Sequence, residues 1–185
     1  MSIVIATAFE HSAIIGSDGR AICSTDNSIV TENYNKTIKL CNNVIMGFTG
    51  ETIICENVVS YLKTLSISTV EDTSYHIKEL LESLNLSESR RCAFTVAGTT
   101  TLGHMELHSI GTKNHLQIKR DIPISNSLAY SILSPDDVDG ERIFVQNVYA
   151  LGIQNIKEAI RLSICEAARA NFSINTNCHF QEILL

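Results

Sequence analysis

The chain has 185 residues, of which 44% are hydrophobic and 18% charged, and its formal net charge is −6 at pH 7. This length fits one domain spanning residues 1–185, and the composition is typical of a globular chain rather than a disordered one. Because Lys and Arg are not clustered and no apolar run approaches ~18 residues, we expect no nucleic-acid-binding surface and no transmembrane helix. The N-terminus lacks a basic segment followed by an apolar one, which predicts no signal peptide and a cytoplasmic protein.

The predicted elements follow one another in blocks of strands and blocks of helices. Strands are predicted first at 3–9, 13–16 (running into the turn SDGR), 28–30, 36–40 and 43–48. Two helices follow at 50–64 and 74–84, the second with Asp72 and Thr73 as its expected cap. Strands are then predicted at 91–98, 103–110, 115–119 and 127–133, helices at 141–149 and 154–170, and a last strand in NCHFQEILL at 177–185.

This block order favours antiparallel sheets with helices layered outside, because parallel sheets are typical of strictly alternating strands and helices. We therefore expect an α+β fold in which two antiparallel sheets stack face to face between two helical layers. The six cysteines form no CxxC pair. Without an export signal, we expect reduced and mostly buried thiols rather than disulfides.

Several motifs with known chemistry are absent or lack the required spacing. His104 and His108 lie four residues apart, but in a predicted strand that spacing separates them by about 13 Å, which is too far to share a zinc ion. We therefore expect an exposed strand face at His104, Glu106 and His108. The chain has no GxxxxGK[ST] phosphate loop, no GxGxxG and no GxSxG serine motif. Spacing does not exclude Cys–His catalysis, although buried structural cysteines are favoured.

Four short stretches form the most informative pattern. They are Ser2 near the chain start, Asp18 in SDGR at 17–20, Lys36 in NKTIKL at 35–40, and Gly47 in MGFTG at 46–50. Their order, and the sixteen residues from Ser2 to Asp18, resemble the N-terminal-nucleophile hydrolases of the proteasome β-subunit and HslV type. The ending INTNCHFQEIL at 174–184 also resembles the HslV C-terminus.

The resemblance implies a four-layer αββα sandwich and a peptidase. Ser2 would be the nucleophile, with its own α-amine as the base once Met1 is removed, because an α-amine pKa of about 7.7–8.0 suits that role. Asp18 would orient the Lys36 ammonium, and the Gly47 N–H would stabilise the oxyanion. Ser134 and Ser173 stand where the family has further site serines.

The resemblance further implies a polypeptide substrate, a homo-oligomeric ring and an ATP-driven unfoldase partner, with no cofactor or metal. Two departures leave alternatives open: the nucleophile is Ser where the family has Thr, and Ala170 stands where the family has Asp. The alternatives are a catalytically inactive ring or scaffold subunit, and a small-molecule amidase on the same fold.

Overall fold

A computed structural model describes residues 2–23, 25–86, 90–125 and 127–185. The strands of the first half are β1 (Val4–Ala8), β2 (Ser12–Asp18), β3 (Ala21–Ile22), β4 (Ile29–Thr31), β5 (Thr37–Cys41) and β6 (Val44–Gly50). They are followed by helices α1 (Thr52–Leu62) and α2 (Val70–Ser83). The second half contains β7 (Cys92–Thr99), β8 (Met105–Gly111), β9 (Lys119–Asp121), β10 (Ala129–Leu133), α3 (Gly140–Leu151), α4 (Ile156–Ala170) and β11 (Cys178–Leu184).

The strands form two main antiparallel sheets and one small hairpin. The first sheet has the order β10-β1-β2-β11, the second has the order β5-β6-β7-β8-β9, and β3 pairs with β4 alone. In the register of the first sheet, Val4 lies opposite Ser17 in β2, and Cys178 lies opposite Asp18. The beginning of the chain and its last strand therefore meet at the Asp18 end of β2.

Three apolar cores separate four layers. One core lies between α1, α2 and the five-stranded sheet, and includes Val58, Leu81 and Phe94. A second joins the two sheets through residues such as Ile15 and Leu107, and a third packs the four-stranded sheet against α3 and α4. Since β1 and β6 are covered on both faces, they are apolar without alternation, and every residue of β1 is buried. The expected αββα sandwich is confirmed.

Two predictions of element bounds were wrong for local reasons. Helix α2 begins at Val70 rather than at 74, because the Thr69 side chain caps it by accepting the Asp72 N–H at 3.2 Å. Residues 115–118 of the strand predicted at 115–119 are not part of a strand, because His115 and Leu116 have left-handed φ angles of 51° and 56°. β9 therefore begins only at Lys119.

The predicted exposed face at His104, Glu106 and His108 is also wrong at two of its three positions. His104 is exposed, but Glu106 and His108 lie beneath α2 with only 5% and 2% of their surface exposed. Nδ1 of His108 is 2.9 Å from the Ser74 hydroxyl of that helix, and Nε2 is 2.9 Å from the Glu106 carboxylate. Arg120 of β9 also binds this carboxylate, so the buried charge is paired. In the described part of the chain, no helix is long and apolar enough to cross a membrane.

Candidate active site

The turn after β2 holds a buried carboxylate at the end of that strand. Asp18 is 0% exposed, and its Oδ1 accepts the backbone N–H of Ile3 at 3.0 Å. Its Oδ2 accepts the backbone N–H of Arg20 at 2.9 Å. These two bonds fix the carboxylate between the residue that precedes β1 and the turn, so the orientation of Asp18 is set by backbone donors.

Lys36, just before β5, supplies the counter-charge. Its Nζ lies 3.0 Å from Oδ2 of Asp18 and donates a second bond of 3.0 Å to the Asp18 carbonyl, while only 4% of the residue is exposed. Burial lowers the pKa of Lys36 from its usual value, and the charge of Asp18 opposes this shift. The carboxylate and the backbone carbonyl of Asp18 therefore hold the Lys36 ammonium in one position.

Ser2 lies beside this pair at the start of β1. Its backbone N–H donates to Oγ1 of Thr49 at 3.3 Å, and its hydroxyl lies 3.4 Å from the Arg20 carbonyl oxygen. A cavity of about 680 Å³ opens at this point, and both Ser2 and Lys36 line it. Apolar groups also line the cavity, among them Ile22, Val30, Phe48 and Ile53. The structure thus brings together three of the six predicted site residues: Ser2, Asp18 and Lys36.

Gly47 is not among the residues that line this cavity. A β-carbon on Gly47 would lie 2.6 Å from Val4 and 2.8 Å from Ile15, so the missing side chain allows the two sheets to approach closely. In the β6–β7 register Gly47 lies opposite Thr95, within the five-stranded sheet. The structure therefore gives Gly47 a packing position between the sheets.

Gly50, three residues further on, does line the cavity. Phe48 donates its N–H to Lys36 O at 3.0 Å on the β5 side, whereas Glu51 donates to Arg91 O at 3.0 Å on the β7 side. N–H groups alternate in direction along a strand, so the Gly50 N–H points to the β5 side of β6, as the Phe48 N–H does. Phe48 already binds Lys36, the residue before β5, so Gly50 lies beyond the N-terminal end of β5 on that side. Gly50 also has a φ of 120°, which a side chain rarely tolerates.

The two remaining predicted serines lie in different surroundings. Ser134 lines a neighbouring cavity of about 370 Å³ that shares Thr49, Gly50 and Arg91 with the Ser2 cavity. The Ser134 hydroxyl donates to Val138 O at 3.2 Å. Ser173 follows α4, and both its N–H and its hydroxyl donate to Oδ1 of Asn171, at 2.7 and 2.6 Å. The active-site roles of both serines remain predictions.

Several residues around the site were assigned no role from the sequence, although they lie in the stretches SDGR at 17–20 and INTNCHFQEIL at 174–184. Arg20 forms a two-pronged ion pair with Glu32, with nitrogen-to-oxygen distances of 2.9 and 3.0 Å, and also binds the Phe172 carbonyl. Asn175 accepts the Gly19 N–H at 2.8 Å. Nε2 of His179 is buried without a hydrogen-bond partner among the described residues, and burial, followed by the charge of Lys36, lowers the His179 pKa.

A metal centre is not apparent in the described ranges 2–23, 25–86, 90–125 and 127–185. Among those residues, no group of three or more His, Cys, Asp or Glu side chains could hold a metal ion. The six cysteines are free thiols, of which Cys55 and Cys92 are buried. Burial raises the pKa of the Cys92 thiol to about 11 and that of Cys55 still further, so neither is a ready thiolate.

Comparison with known proteins identifies the fold. No protein-family model matches the chain, and no curated protein matches it in sequence. A search of solved structures does find a match along the whole chain, and this match shows a fold of the proteasome β-subunit and HslV type. The matched structure is eukaryotic HslV from Trypanosoma brucei, with a TM-score of 0.67, 10% sequence identity and 99% of each chain covered. At this identity the likeness establishes the fold alone.

Proposed function

We propose that this chain is an N-terminal-nucleophile hydrolase that cleaves peptide bonds with the Ser2 hydroxyl. The observation that carries the proposal is the buried Lys36–Asp18 ion pair beside Ser2, where Ser2 and Lys36 line a cavity large enough for a peptide side chain. A buried pair of charges costs desolvation energy and is weak evidence for stability alone. Because the pair lies beside Ser2 in a chain with the HslV fold, a catalytic role explains its presence better than a structural one.

The proposed chemistry requires that Met1 be removed, so that Ser2 carries a free α-amine. This amine takes the hydroxyl proton as Ser2 Oγ attacks the carbonyl carbon, and then gives the proton to the departing amine of the substrate. Water next attacks the acyl-enzyme ester and passes a proton to the same amine, which returns it to Ser2 Oγ as the ester C–O bond breaks and the acid leaves. The ammonium of Lys36 favours the neutral amine by charge repulsion and stabilises negative charge developing on Oγ.

The oxyanion of the tetrahedral intermediate is assigned to the Gly50 N–H. Gly50 lines the Ser2 cavity, and the alternation along β6 directs its N–H away from β7. A backbone donor held by a strand needs no reorganisation as the negative charge forms, which is the property that such a site requires. This assignment replaces Gly47, whose position between the sheets offers no comparable access.

The proposal extends to assembly and partners. The HslV-like fold supports a homo-oligomeric ring, with an ATP-driven unfoldase delivering polypeptide to an enclosed chamber, and a cytoplasmic location. Light scattering of the purified chain tests this part directly. A ring-sized particle is expected, whereas a monomer or dimer that cleaves only small amides would favour an amidase on the same fold.

The catalytic proposal is tested with short fluorogenic peptide amides and three proteins: the wild type, Ser2→Ala and Ser83→Ala. Ser83 is an exposed serine of α2, so its replacement is a matched control for the loss of one hydroxyl. We expect hydrolysis by the wild type and the control, and none by Ser2→Ala. Full activity of Ser2→Ala would refute the proposed nucleophile, and a wild-type protein that is inactive after Met1 removal would favour the scaffold subunit.

A further inference from the structure

We propose that Asn175 is a positioning residue for the hydrolysis: it holds the turn Asp18–Gly19–Arg20 in the form that presents Asp18 to Lys36 and the Arg20 carbonyl to Ser2. This inference rests on the proposed function for its catalytic meaning. Asn175 lies in the loop between α4 and β11, far from the turn in sequence, and only 6% of its surface is exposed. A buried amide is costly unless its polar groups are paired, and those of Asn175 are.

The acceptor end of the Asn175 amide binds the turn itself. Oδ1 accepts the Gly19 N–H at 2.8 Å, and also the N–H of Asn177 at 3.3 Å. Gly19 lies between Asp18, whose carboxylate binds Lys36, and Arg20, whose carbonyl oxygen is 3.4 Å from the Ser2 hydroxyl. The peptide group that Asn175 holds is therefore shared by both sides of the candidate site.

The donor end of the same amide binds Glu32, which in turn binds the Arg20 side chain at the end of the turn. Nδ2 donates to the Glu32 backbone carbonyl at 2.8 Å and also to the Glu32 carboxylate. That carboxylate forms the two-pronged pair with the Arg20 guanidinium. The hydrogen bonds from Arg20, and then the one from Asn175, hold the pKa of Glu32 below its usual value. Asn175 thus fixes Gly19 directly and Arg20 through Glu32.

This arrangement needs an amide, because one end must accept and the other must donate. The substitution Asn175→Asp would still accept the Gly19 N–H but would set a second carboxylate against Glu32. Adding Glu32→Gln would then restore a donor toward this new carboxylate while keeping one acceptor for Arg20. Asn175→Leu would leave the Gly19 N–H without its acceptor. These substitutions separate the contact of Asn175 with the Gly19 N–H from its contact with Glu32.

The experiment measures two quantities on the full chain: the rate at which a β-lactone acylates Ser2, and the ¹⁵Nζ resonance of Lys36 in the resting protein. We expect Asn175→Leu and Asn175→Asp to slow acylation by about 10- to 100-fold, because a misplacement of reacting groups by about 1 Å can cost about 100-fold in rate. The double variant Asn175→Asp/Glu32→Gln should recover most of the rate. Asn155→Asp makes the same change at an exposed amide and should keep the wild-type rate.

The Lys36 resonance separates a failure of this inference from a failure of the proposed function. If wild-type Ser2 is not acylated, the proposed hydrolysis fails, yet a shifted Lys36 signal in Asn175→Leu still supports positioning. An unshifted Lys36 signal, or acylation at the wild-type rate in both single variants, overturns the role of Asn175. If Asn175→Leu does not fold, the Asn175→Asp variant and its rescue by Glu32→Gln decide the question.

Discussion

Lys36 and Asp18 form an ion pair in which both side chains are withdrawn from solvent, with Nζ 3.0 Å from Oδ2. Asp18 also accepts two backbone N–H groups, whereas the Lys36 ammonium donates to the Asp18 carbonyl oxygen. Each charge is therefore compensated chiefly by the other. The pair couples the stability of the fold to the chemistry proposed for Ser2.

Removing one member of this pair is expected to be costly. Lys36→Met should lower the free energy of unfolding by about 3–5 kcal/mol, because it leaves the Asp18 charge buried without its cation. Adding Asp18→Asn should recover a large part of the lost stability. Acylation of Ser2 should stay abolished both in Lys36→Met and in the double variant. Urea unfolding of the two single variants and the double variant gives the coupling energy. Simple additivity of the two changes would contradict the buried pair.

The Glu106–His108 cluster predicts a pH-dependent stability away from the site. Burial lowers the pKa of His108, and the hydrogen bond to Glu106 opposes this without cancelling it. Because the unfolded chain then binds more protons just below pH 6.5, stability must fall as the pH is lowered through that window, by at most about 1.4 kcal/mol per pH unit.

Glu106 extends the same trend to lower pH. Burial alone would raise the pKa of Glu106, but the hydrogen bonds from His108 and Arg120 together lower it. The contribution of Glu106 to the free energy of unfolding is therefore lost only as the pH falls below about 4.5.

Urea unfolding between pH 7.5 and 5 tests the contribution of His108. The free energy of unfolding should depend less steeply on pH for His108→Gln than for the wild type. His104→Gln, at the exposed end of the same strand region, should match the wild type.

Gly50 provides a test of the local geometry at the cavity. A β-carbon there would lie 2.2 Å from Arg91 O, and the φ of 120° would add strain. Gly103→Ala is the matched control, since Gly103 also has a positive φ of 81° but no atom within 4 Å of the added carbon. Thermal unfolding should show a clearly larger loss for Gly50→Ala than for Gly103→Ala. Equal losses of stability would contradict the predicted clash, because the backbone at Arg91 would then move aside at little cost in free energy.

The sequence was a good guide where neighbouring residues determine the structure. Strands covered on both faces are continuous apolar runs, so β1 and β6 could be recognised without any knowledge of their partners. Asp18 and Lys36 were located by the order and spacing of the stretches SDGR and NKTIKL after Ser2, which resemble those of a known family. The layer order followed from the grouping of strands and helices.

The sequence was a poor guide where the answer depends on contacts between layers. Glu106 and His108 look like an exposed face until α2 covers them, which no local pattern reveals. Which glycine of MGFTG reaches the cavity depends on which face of β6 packs against β1 and on where β5 begins beside β6, and both are tertiary properties. Asn175 acquires its partners only when the loop before β11 meets the turn after β2.

The state of the N-terminal residue tests the proposed mechanism most directly. The mature protein, purified without any N-terminal tag, is treated with the β-lactone, and its N-terminal peptide is identified by mass spectrometry. We predict a chain that begins at Ser2 and carries one acyl group on the Ser2 hydroxyl, with no adduct in Ser2→Ala. A protein that hydrolyses peptides while retaining Met1, or that carries the acyl group on another residue, would contradict this mechanism.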